Sequence, residues 1–367
     1  MKTAEQLKRS PHLMMYFDGS RIVFDNYVSN KRVASNYLAS MVLGFFEAWK
    51  RPNDIVNAFP DYQPKPLLAT VRKLQSNGLL ITRDSKENEL EDKMEKYSQW
   101  PLPSRYYHFS TKTTDFVITP ESSRQYYNKF LKDGKQPPLY KSYPEKTKIK
   151  LLSTFKREEA SLFDTLLKRK SIRDFSERPI SFEELSKIIY YTWGRMSYYE
   201  TGEFGLLIHK TSPSAGARHP TEMYLVANNV TGVGRGIYHY SVKDHSLELL
   251  KTGDFREKCL AYCAGQKWAK AASGVFIMTS VVARTTWKYR VPRTYRSLLL
   301  DVGHLSQTFF LVCTGMGLGP FCTGVMCDSL IESELGIDGV AETIIFVVGV
   351  GRPKAKQEKP AMSATLL

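Results

Sequence analysis

The 367-residue sequence predicts an α+β protein built from two domains. Its length exceeds what one hydrophobic core usually serves, so two cores are the default expectation. Residues 33–81 carry two helical patterns and a short strand, whereas the chain from residue 156 onward interleaves helical and strand patterns. Such interleaving is typical of α/β or α+β domains. With 42% hydrophobic and 12% aromatic residues, the chain can form both cores.

The first part, residues 1–110, has the outline of a winged helix. Residues 33–50 are apolar with helical spacing and predict a core helix. A second helix is expected because four apolar residues share one face: Leu67, Leu68, Val71 and Leu74. Asn77-Gly78 favours its end, because both residues tolerate left-handed backbone. A short strand at 79–81 and a charged wing at 83–96 complete the outline.

Residues 111–155 are expected to form a linker, because they are proline-rich and only weakly periodic. Interdomain contacts are expected around the aromatic residues Trp100 and Tyr106-Tyr107-His108. The Lys-rich stretch at 129–150 is interpreted as a solvated part of this linker.

Residues 156–367 form the second predicted domain. A helix is expected at 157–168, and Ser181 with Glu184 makes a capping box for a helix that ends near Trp193. A long apolar helix covers about 295–315. Strands are expected at 222–228, 236–242, 246–251, 274–280 and 343–350.

The net charge of +15 favours anionic partners, such as nucleic acid, an acidic peptide or phosphate. Residues 1–150 hold 25 Lys and Arg against 16 Asp and Glu. The sequence shows no run of about 18 apolar residues for a bilayer span, and its N-terminus lacks the apolar core of a signal peptide. A cytoplasmic protein is expected. The five cysteines fit no common zinc template, so buried thiols and no metal site are expected.

Arg169, Ser171 and Arg173 form the first candidate ligand site. In extended backbone they point to one side, while Lys170 and Ile172 point to the other. Two guanidinium groups and a hydroxyl on one face suit a phosphate, since arginine binds phosphate oxygens with a planar fork. The alternative is a charged helix end.

Three segments that are rich in small residues could hold a flat heterocycle. The loop at 212–220 (SPSAGARHP) consists largely of small residues that allow the backbone to approach a ligand closely, although it could also be an ordinary tight connection. Residues 318–324 (LGPFCTG) follow the long helix, and residues 349–353 (GVGRP) bring Arg352 as a further phosphate charge. Neither glycine-rich stretch fits a Rossmann or Walker pattern, which disfavours a nicotinamide or nucleoside triphosphate fold.

Lys288 and Tyr289 are candidate proton-transfer groups within residues 284–290 (RTTWKYR). The neighbouring Arg284 and Arg290 would lower the lysine pKa if they also lie close in space. Because adjacent strand residues face opposite ways, joint action requires a loop or a helical turn here. The alternative is an exposed basic segment. His304, within the apolar helix, is interpreted as a packing residue.

Seven segments in this order resemble the flavin-dependent nitroreductase superfamily, and more narrowly its SagB-type thiazole/oxazole-forming peptide dehydrogenases. The resemblance covers about residues 156–353. Its segments are RKSIRDF, PSAGARHPTE, GQKW, RTTWKY, YRSLLLDVGHLSQ, GLGPFCTG and GVGRP. It implies an α+β domain that binds FMN at a homodimer interface, preceded here by the winged-helix-like domain.

The resemblance also implies residue roles. Lys288 and Tyr289 match the family's catalytic Lys-Tyr pair. The FMN phosphate would be held by Arg169, Ser171, Arg173 and Arg352, and the flavin ring would be lined by Pro213, Ser214 and Gly324. The full expected cofactor site also includes Lys170, Ala215, Gly216 and Thr323. The chain departs from the family at 289–296 (YRVPRTYR), where a Gly-rich turn is common.

The resemblance implies oxidation of azoline rings to azoles in a ribosomally made precursor peptide, with a cyclodehydratase as a partner. Residues 1–110 would then dock the peptide, by strand addition at the edge around Leu79–Arg83. Two alternatives stay open. One is an FMN oxidoreductase that acts on dehydroamino acids or on small quinone or nitro compounds. The other, which the basic helix residues Arg72 and Lys73 also suit, is a flavin-linked nucleic-acid-binding regulator.

Overall fold

The computed structural model describes residues 5–95, 101–112, 134–156, 160–202 and 205–354, together with the single positions 121, 125 and 128. The chain separates into two compact units, residues 1–116 and 117–367. Trp100 and residues 129–133 and 157–159, which carried sequence predictions, lie outside the described residues.

The first unit combines short antiparallel strands with helices. Its strands are β1 (Leu7–Arg9), β2 (Leu13–Asp18), β3 (Arg21–Asn26), β4 (Lys31–Ser35) and β5 (Leu80–Thr82). Its described helices are α1 (Tyr37–Phe45), α2 (Asp54–Ala58), α3 (Pro64–Ser76), α4 (Lys86–Glu95) and α5 (Leu102–Ser110). The strands β2, β3 and β4 form one antiparallel sheet in that order, and β1 pairs with β5.

Helix α3 forms as the sequence predicts. Leu67, Val71 and Leu74 are buried on one face and pack in the core of the first unit against residues of α1, including Val42. The helix ends at Asn77, and Gly78 follows with a φ of +67°. Left-handed backbone costs glycine little, which is why the Asn-Gly pair ends this helix.

The charged segment after β5 is the helix α4, which corrects the predicted wing at 83–96. Ser85 accepts a hydrogen bond from the backbone N–H of Asn88 at 3.1 Å and so caps the helix, and the sequence KENELEDKME is rich in strong helix formers. Strand β5 is buried and pairs with β1, so it is not the open edge expected around Leu79–Arg83. The first unit therefore departs from the winged-helix outline.

The second unit is built around a mixed arrangement of helices and one large sheet. Its strands are β6 (Lys148–Lys150), β7 (Ser197–Thr201), β8 (Gly205–His209), β9 (Thr221–Ala227), β10 (Gly236–Ser241), β11 (Ser246–Thr252), β12 (Gly274–Val281), β13 (Gly319–Thr323) and β14 (Glu342–Gly351). Its described helices are α6 (Leu162–Lys168), α7 (Phe182–Trp193), α8 (Arg256–Tyr262), α9 (Lys267–Ala271), α10 (Val282–Thr286), α11 (Thr294–Gly315) and α12 (Asp328–Leu335).

The large sheet is antiparallel throughout its described pairings, in the order β13-β14-β12-β9-β10-β11-β6. Its central strand β9 is buried on both faces. Met223 and Leu225 join the core beneath α7 and α11, whereas Tyr224 and Val226 join the core that includes residues of α8 and α12. Because strand side chains alternate, one continuous apolar run supplies both cores.

Most of the regular elements predicted for this unit are confirmed, with shifts of one or two residues at their ends. The exception is the helix expected at 157–168, which begins at Leu162. The capping box of α7 is present: the Ser181 N–H donates to Glu184 Oε2 at 2.7 Å, and the Glu184 N–H donates to Ser181 Oγ at 3.1 Å. The hairpin of β7 and β8, the strand β13 and the shorter helices were not predicted.

Helix α11 qualifies the expectation that the sequence holds no possible membrane span. Within the described part of the chain, this 22-residue helix is long and apolar enough to cross a bilayer by length and composition, with a mean hydropathy of 1.2. About 44% of its apolar stretch is buried, and Leu298, Val302 and Phe309 pack in the core. The core helix of a soluble protein has the same properties.

Residues 134–150, expected in a linker, pack on the second unit. The carbonyl oxygens of Gly134 and Pro138 accept hydrogen bonds from the Trp287 indole and the Arg284 guanidinium, at 3.4 and 3.0 Å. The Lys141 ammonium bonds Glu342 at 2.5 Å, and β6 pairs with the edge of the sheet. The composition of this segment suggested that it is exposed to solvent. Its contacts could not be predicted from composition because they join residues that lie far apart in the sequence.

His239 lies at the centre of a buried charged cluster in this sheet. Its two ring nitrogens lie 3.0 Å from Glu222 and 2.8 Å from Glu248, and the three side chains are almost fully buried. Burial lowers the pKa of His239, but the bonds to both carboxylates outweigh it, so the pKa is raised. Both nitrogens therefore donate, and the ring is an imidazolium. The rings of Tyr143 and Tyr224 lie against the His239 ring. Arg284 forms an ion pair with Glu222, and Lys148 forms one with Glu248.

The raised pKa of His239 predicts a pH dependence of stability. Its contribution is complete below about pH 6.5, the ordinary histidine pKa, and is lost as the pH rises through the higher pKa of the folded state. Replacing His239 by Gln should therefore lower the free energy of unfolding more at pH 6 than at pH 9, as measured by urea denaturation. The exposed His209→Gln variant is the control. An equal loss at both pH values would contradict the prediction.

Candidate functional site

The segment after α6 places two arginines near one point. Residues 169–174 run beside β13, where the Ile172 N–H donates to the Pro320 carbonyl at 2.8 Å. The Cys322 thiol marks this point. Burial raises its pKa, while Arg173 and Arg169 act on it in the opposite direction. In the described part of the chain, neither arginine forms an ion pair with a carboxylate. Two guanidinium groups thus lie near Cys322 of β13, with Arg169 over the Phe310 ring at 5.7 Å and Arg173 over the Trp268 ring at 5.1 Å.

The other residues predicted for a phosphate site are placed differently. Lys170 is exposed and Ser171 half-buried. Arg352, by contrast, is committed: its guanidinium donates to both carboxylate oxygens of Glu184, at 2.9 and 2.7 Å, and to the Pro179 carbonyl at 2.9 Å. The capping carboxylate of α7 therefore also holds Arg352. This long-range contact is invisible in the local sequence.

The loop Ser212–His219 is held by Asp301 of α11. The Ser214 hydroxyl donates to Asp301 Oδ2 at 2.5 Å, and the Ala215 N–H donates to Oδ1 at 3.2 Å. The His219 N–H in turn donates to Ser214 Oγ at 2.9 Å. Asp301 is 3% exposed, and burial raises its pKa against these hydrogen bonds. The sequence analysis missed this residue, although an aspartate within an apolar helix was a visible signal.

The same loop is strained. Gly216, Ala217 and His219 have φ values of +61°, +53° and +45°. A residue other than glycine in this region costs on the order of 1–3 kcal/mol and persists only where its surroundings enforce it. Such strain clusters at ligand sites, and the bonds to Asp301 are the enforcing contacts here.

The predicted pair Lys288-Tyr289 meets this loop. Helix α10 continues as a helical turn, since the N–H groups of Lys288 and Tyr289 both donate to the Thr285 carbonyl, at 3.2 and 3.0 Å. This is the local geometry that joint action requires. A Cβ placed on Gly216 would lie 2.5 Å from the Tyr289 hydroxyl oxygen, so glycine is required by contact as well as by φ. The predicted pair and the loop Ser212–His219 therefore lie at one site.

Burial lowers the pKa of Lys288, and the nearby Arg218 lowers it further. The sequence had suggested Arg284 and Arg290 as the source of this effect, but Arg218 from the loop supplies it. Arg218 is 2% exposed, stacks over the Trp287 ring at 5.2 Å and donates to the Arg284 carbonyl at 3.1 Å. Lys288 therefore releases its proton more readily than an ordinary lysine.

Thr323 is the last residue of β13, and Gly324 follows it. The Thr323 hydroxyl accepts from the Val325 N–H at 3.0 Å, and Gly324 lies against the Phe346 ring. The side chain of His304 is exposed, so it is not the packing residue expected, although its carbonyl lies 3.5 Å from the Ser212 hydroxyl.

Comparisons with known proteins place this geometry in a family. Residues 166–352, about half of the chain, match the model of the Nitroreductase family. A protein of Methanocaldococcus jannaschii named as a nitroreductase is 33% identical over 195 residues, which cover 53% of this chain and 92% of that protein. The trifolitoxin-processing protein TfxB of Rhizobium leguminosarum bv. trifolii is 33% identical over 159 residues, 42% of each chain. The present chain thus spans less than half of TfxB.

Among solved structures, a nitroreductase-like protein from Anabaena variabilis superposes with a TM-score of 0.54 at 24% identity, over 68% of this chain and 47% of that one. This likeness concerns the fold alone. Together with the family match and the coverage of the archaeal relative, it identifies the chain as a member of the nitroreductase family, whose proteins are FMN-dependent oxidoreductases.

Proposed function

We propose that this protein oxidises azoline rings in a ribosomally made precursor peptide to aromatic azoles. The observation that carries the proposal is the contact of Tyr289 with Gly216, which joins a catalytic Lys-Tyr pair of the kind that the sequence resemblance implies to the predicted flavin-lining loop. The name of the relative TfxB, a trifolitoxin-processing protein, supports a peptide as the substrate.

The residues present fit FMN. Arg169 and Arg173 both lie near Cys322 and form no ion pair with a described carboxylate, which suits a phosphate. The strained loop at Gly216 suits a flat ring that needs close backbone approach. Pro213, Ser214 and Gly324 would line the ring, with Lys170, Ser171, Ala215 and Thr323 nearby in sequence. Bound FMN supplies a two-electron acceptor for a hydride. Arg352 would join the phosphate only by releasing Glu184.

Oxidation of an azoline to an azole removes one hydride and one proton. With FMN bound, the flavin would accept the hydride, and the proton needs a base. The lowered pKa of Lys288 favours its neutral amine, which can accept that proton, and the Tyr289 hydroxyl lies beside the loop to orient the ring or relay the proton.

An open pocket of about 640 Å³ borders Tyr289, and its lining also includes Pro137, Trp287 and Pro292. Pockets of this size hold drug-sized ligands. Residues 289–296, where the chain departs from its family, contribute part of the wall. The pocket therefore suits an apolar peptide segment on either side of the ring.

A second candidate is an FMN oxidoreductase of small molecules, such as quinones, nitro compounds or dehydroamino acids. The coverage of 92% of the archaeal protein named as a nitroreductase favours it. Turnover of such compounds without turnover of an azoline peptide would establish this alternative.

We further propose that the second unit forms a homodimer. Helix α6 exposes Phe163 at 75% and Leu167 at 86%, and α11 exposes Leu300 at 61%. Large apolar side chains exposed on neighbouring helices are typical of association surfaces. The two helices contact each other within one protomer.

The first unit is proposed to dock the precursor peptide. Because β5 is buried, we place the docking edge at β2, one of the two edge strands of the sheet β2-β3-β4, where Met15 and Phe17 are 57% and 74% exposed. An extended peptide can add to such an edge through its backbone and place side chains on the apolar residues. A cyclodehydratase would supply the azoline-bearing peptide.

Replacing Arg169 or Arg173 by Ala should weaken FMN binding by roughly tenfold to a hundredfold, because a charge-assisted hydrogen bond contributes about 1.5–3 kcal/mol. Fluorescence titration of the apoprotein with FMN measures the change. Arg352→Ala should have a smaller effect on FMN binding and should mainly lower the melting temperature, since it breaks the pair with Glu184. An equal loss of FMN affinity in Arg352→Ala would contradict this assignment.

Lys288→Ala and Tyr289→Phe should each lower the rate of azoline oxidation by about 10²–10⁴ and leave FMN bound. In the wild type, the rate should rise with pH as Lys288 loses its proton. Lys243→Ala, an exposed lysine of the same unit, is the matched control. Normal turnover in both variants would disprove the assignment of the pair.

Met15→Ser and Phe17→Ser in the full chain should each weaken binding of the precursor peptide about tenfold, as measured by calorimetry. Tyr37→Ser removes a side chain that is 73% exposed on α1 and should leave affinity unchanged. If none of the variants changes peptide binding, β2 is not the docking edge. Sequence-specific duplex DNA binding that survives physiological salt, without peptide binding, would favour a nucleic-acid-binding regulator instead.

A further inference from the structure

Lys210 is a buried lysine that none of the roles above uses. It follows β8, lies two residues before the loop Ser212–His219 and is 6% exposed. The hydrogen bonds and ion pairs among the described residues include none from its ammonium group. Lysine is almost never fully buried unless it is paired, so this position requires an explanation.

Two small cavities adjoin Lys210, each of about 10 Å³, which is close to the space that one water molecule needs. One is lined in part by Pro213, Ser214 and Asp301, and therefore lies directly behind the loop proposed to face the flavin. The other reaches Glu222 and Arg284. The ammonium group thus lies between the flavin-facing loop and the buried charged cluster.

The charge of Lys210 is not cancelled by a contact partner. Glu222 is the nearby carboxylate that stabilises the charge, but its two oxygens are engaged by Arg284 at 2.5 Å and His239 at 3.0 Å. Asp301 is engaged by the loop itself. Burial and Arg284 lower the pKa of Lys210 to about 8, which leaves the charged form in the majority at pH 7.

His219 shares both cavities but does not add charge. Burial and Lys210 lower its pKa to about 3, so its ring is neutral and its Nε2–H donates to the Ile208 carbonyl at 2.9 Å. The loop between Lys210 and the flavin side carries only small side chains at Pro213, Ser214 and Ala215. Only the loop backbone and these small side chains therefore separate the buried positive charge from the proposed ring site.

We propose that Lys210 raises the reduction potential of the bound flavin by stabilising the negative charge that the flavin gains on reduction. Transfer of one hydride from the substrate adds two electrons and one negative charge to the flavin. A fixed positive charge behind the ring in a low-dielectric interior favours that product. The proposal rests on the flavin-facing role of the loop, but not on the identity of the substrate.

The test is the two-electron midpoint potential of the FMN-loaded protein, measured by reductive titration against a reference dye. Lys210→Met keeps the length of the side chain and removes its charge. We expect reduction to become at least tenfold less favourable, a shift of about −30 mV for a two-electron couple. Lys243→Met, at an exposed position, should leave the potential unchanged. Lys210→Arg keeps the charge, so its midpoint potential should stay close to that of the wild type.

A second measurement needs no variant. When reduction takes up one proton per two electrons, the wild-type midpoint potential falls by about 30 mV per pH unit. Above about pH 8, Lys210 is largely neutral in the oxidised protein and would take up a further proton on reduction, which would double this slope. An unchanged potential in Lys210→Met that binds FMN would overturn the proposal. If that variant does not fold or does not hold added FMN, the absence of the steeper slope in the wild type overturns it instead. Either result leaves the azoline reaction to be judged by turnover alone.

Discussion

Arg284 and Glu222 form an ion pair of 2.5 Å inside the second unit, with both side chains at least 95% buried. Desolvating two charges is costly, so such a pair persists where further hydrogen bonds satisfy the remaining donors and acceptors. Here Glu222 also accepts from His239, and the Arg284 guanidinium donates to the carbonyls of Pro138 and His219. Breaking a buried pair by removing one partner typically costs about 3–5 kcal/mol.

This pair fixes the parts of the site relative to one another. Glu222 belongs to the central strand β9, whereas Arg284 belongs to α10, the helix that leads into Lys288 and Tyr289. The bond from Arg284 to His219 holds the end of the strained loop, and the bond to Pro138 holds the segment at 134–150. The predicted pair Lys288-Tyr289, the loop and this segment therefore share one anchor on the central strand of the sheet.

Several positively charged side chains are buried around the loop. Arg218, Lys210 and Lys288 all lie there, and the carboxylates of Glu222 and Asp301 are engaged by Arg284 and by the loop itself. Positive charge in a low-dielectric interior favours a flavin that becomes more negative when it is reduced.

Local patterns in the sequence determined the elements whose signals lie within a few residues. The capping box of Ser181 and Glu184, the Asn77-Gly78 helix end and the two-sided apolar run of β9 each depend on neighbouring residues, so they could be predicted. The flavin-family segments, and with them the candidate site residues, were also evident from their order along the chain.

Only the tertiary structure decided the features that depend on distant partners. The strand β1 needs β5 to form its ladder, Arg352 finds Glu184 168 residues away, and Asp301 holds a loop 86 residues earlier in the chain. The unpaired burial of Lys210 likewise follows from how the loop packs on the sheet. Sequence patterns record local propensity and periodicity, whereas these contacts are set by folding, which brings distant segments together in a low-dielectric interior.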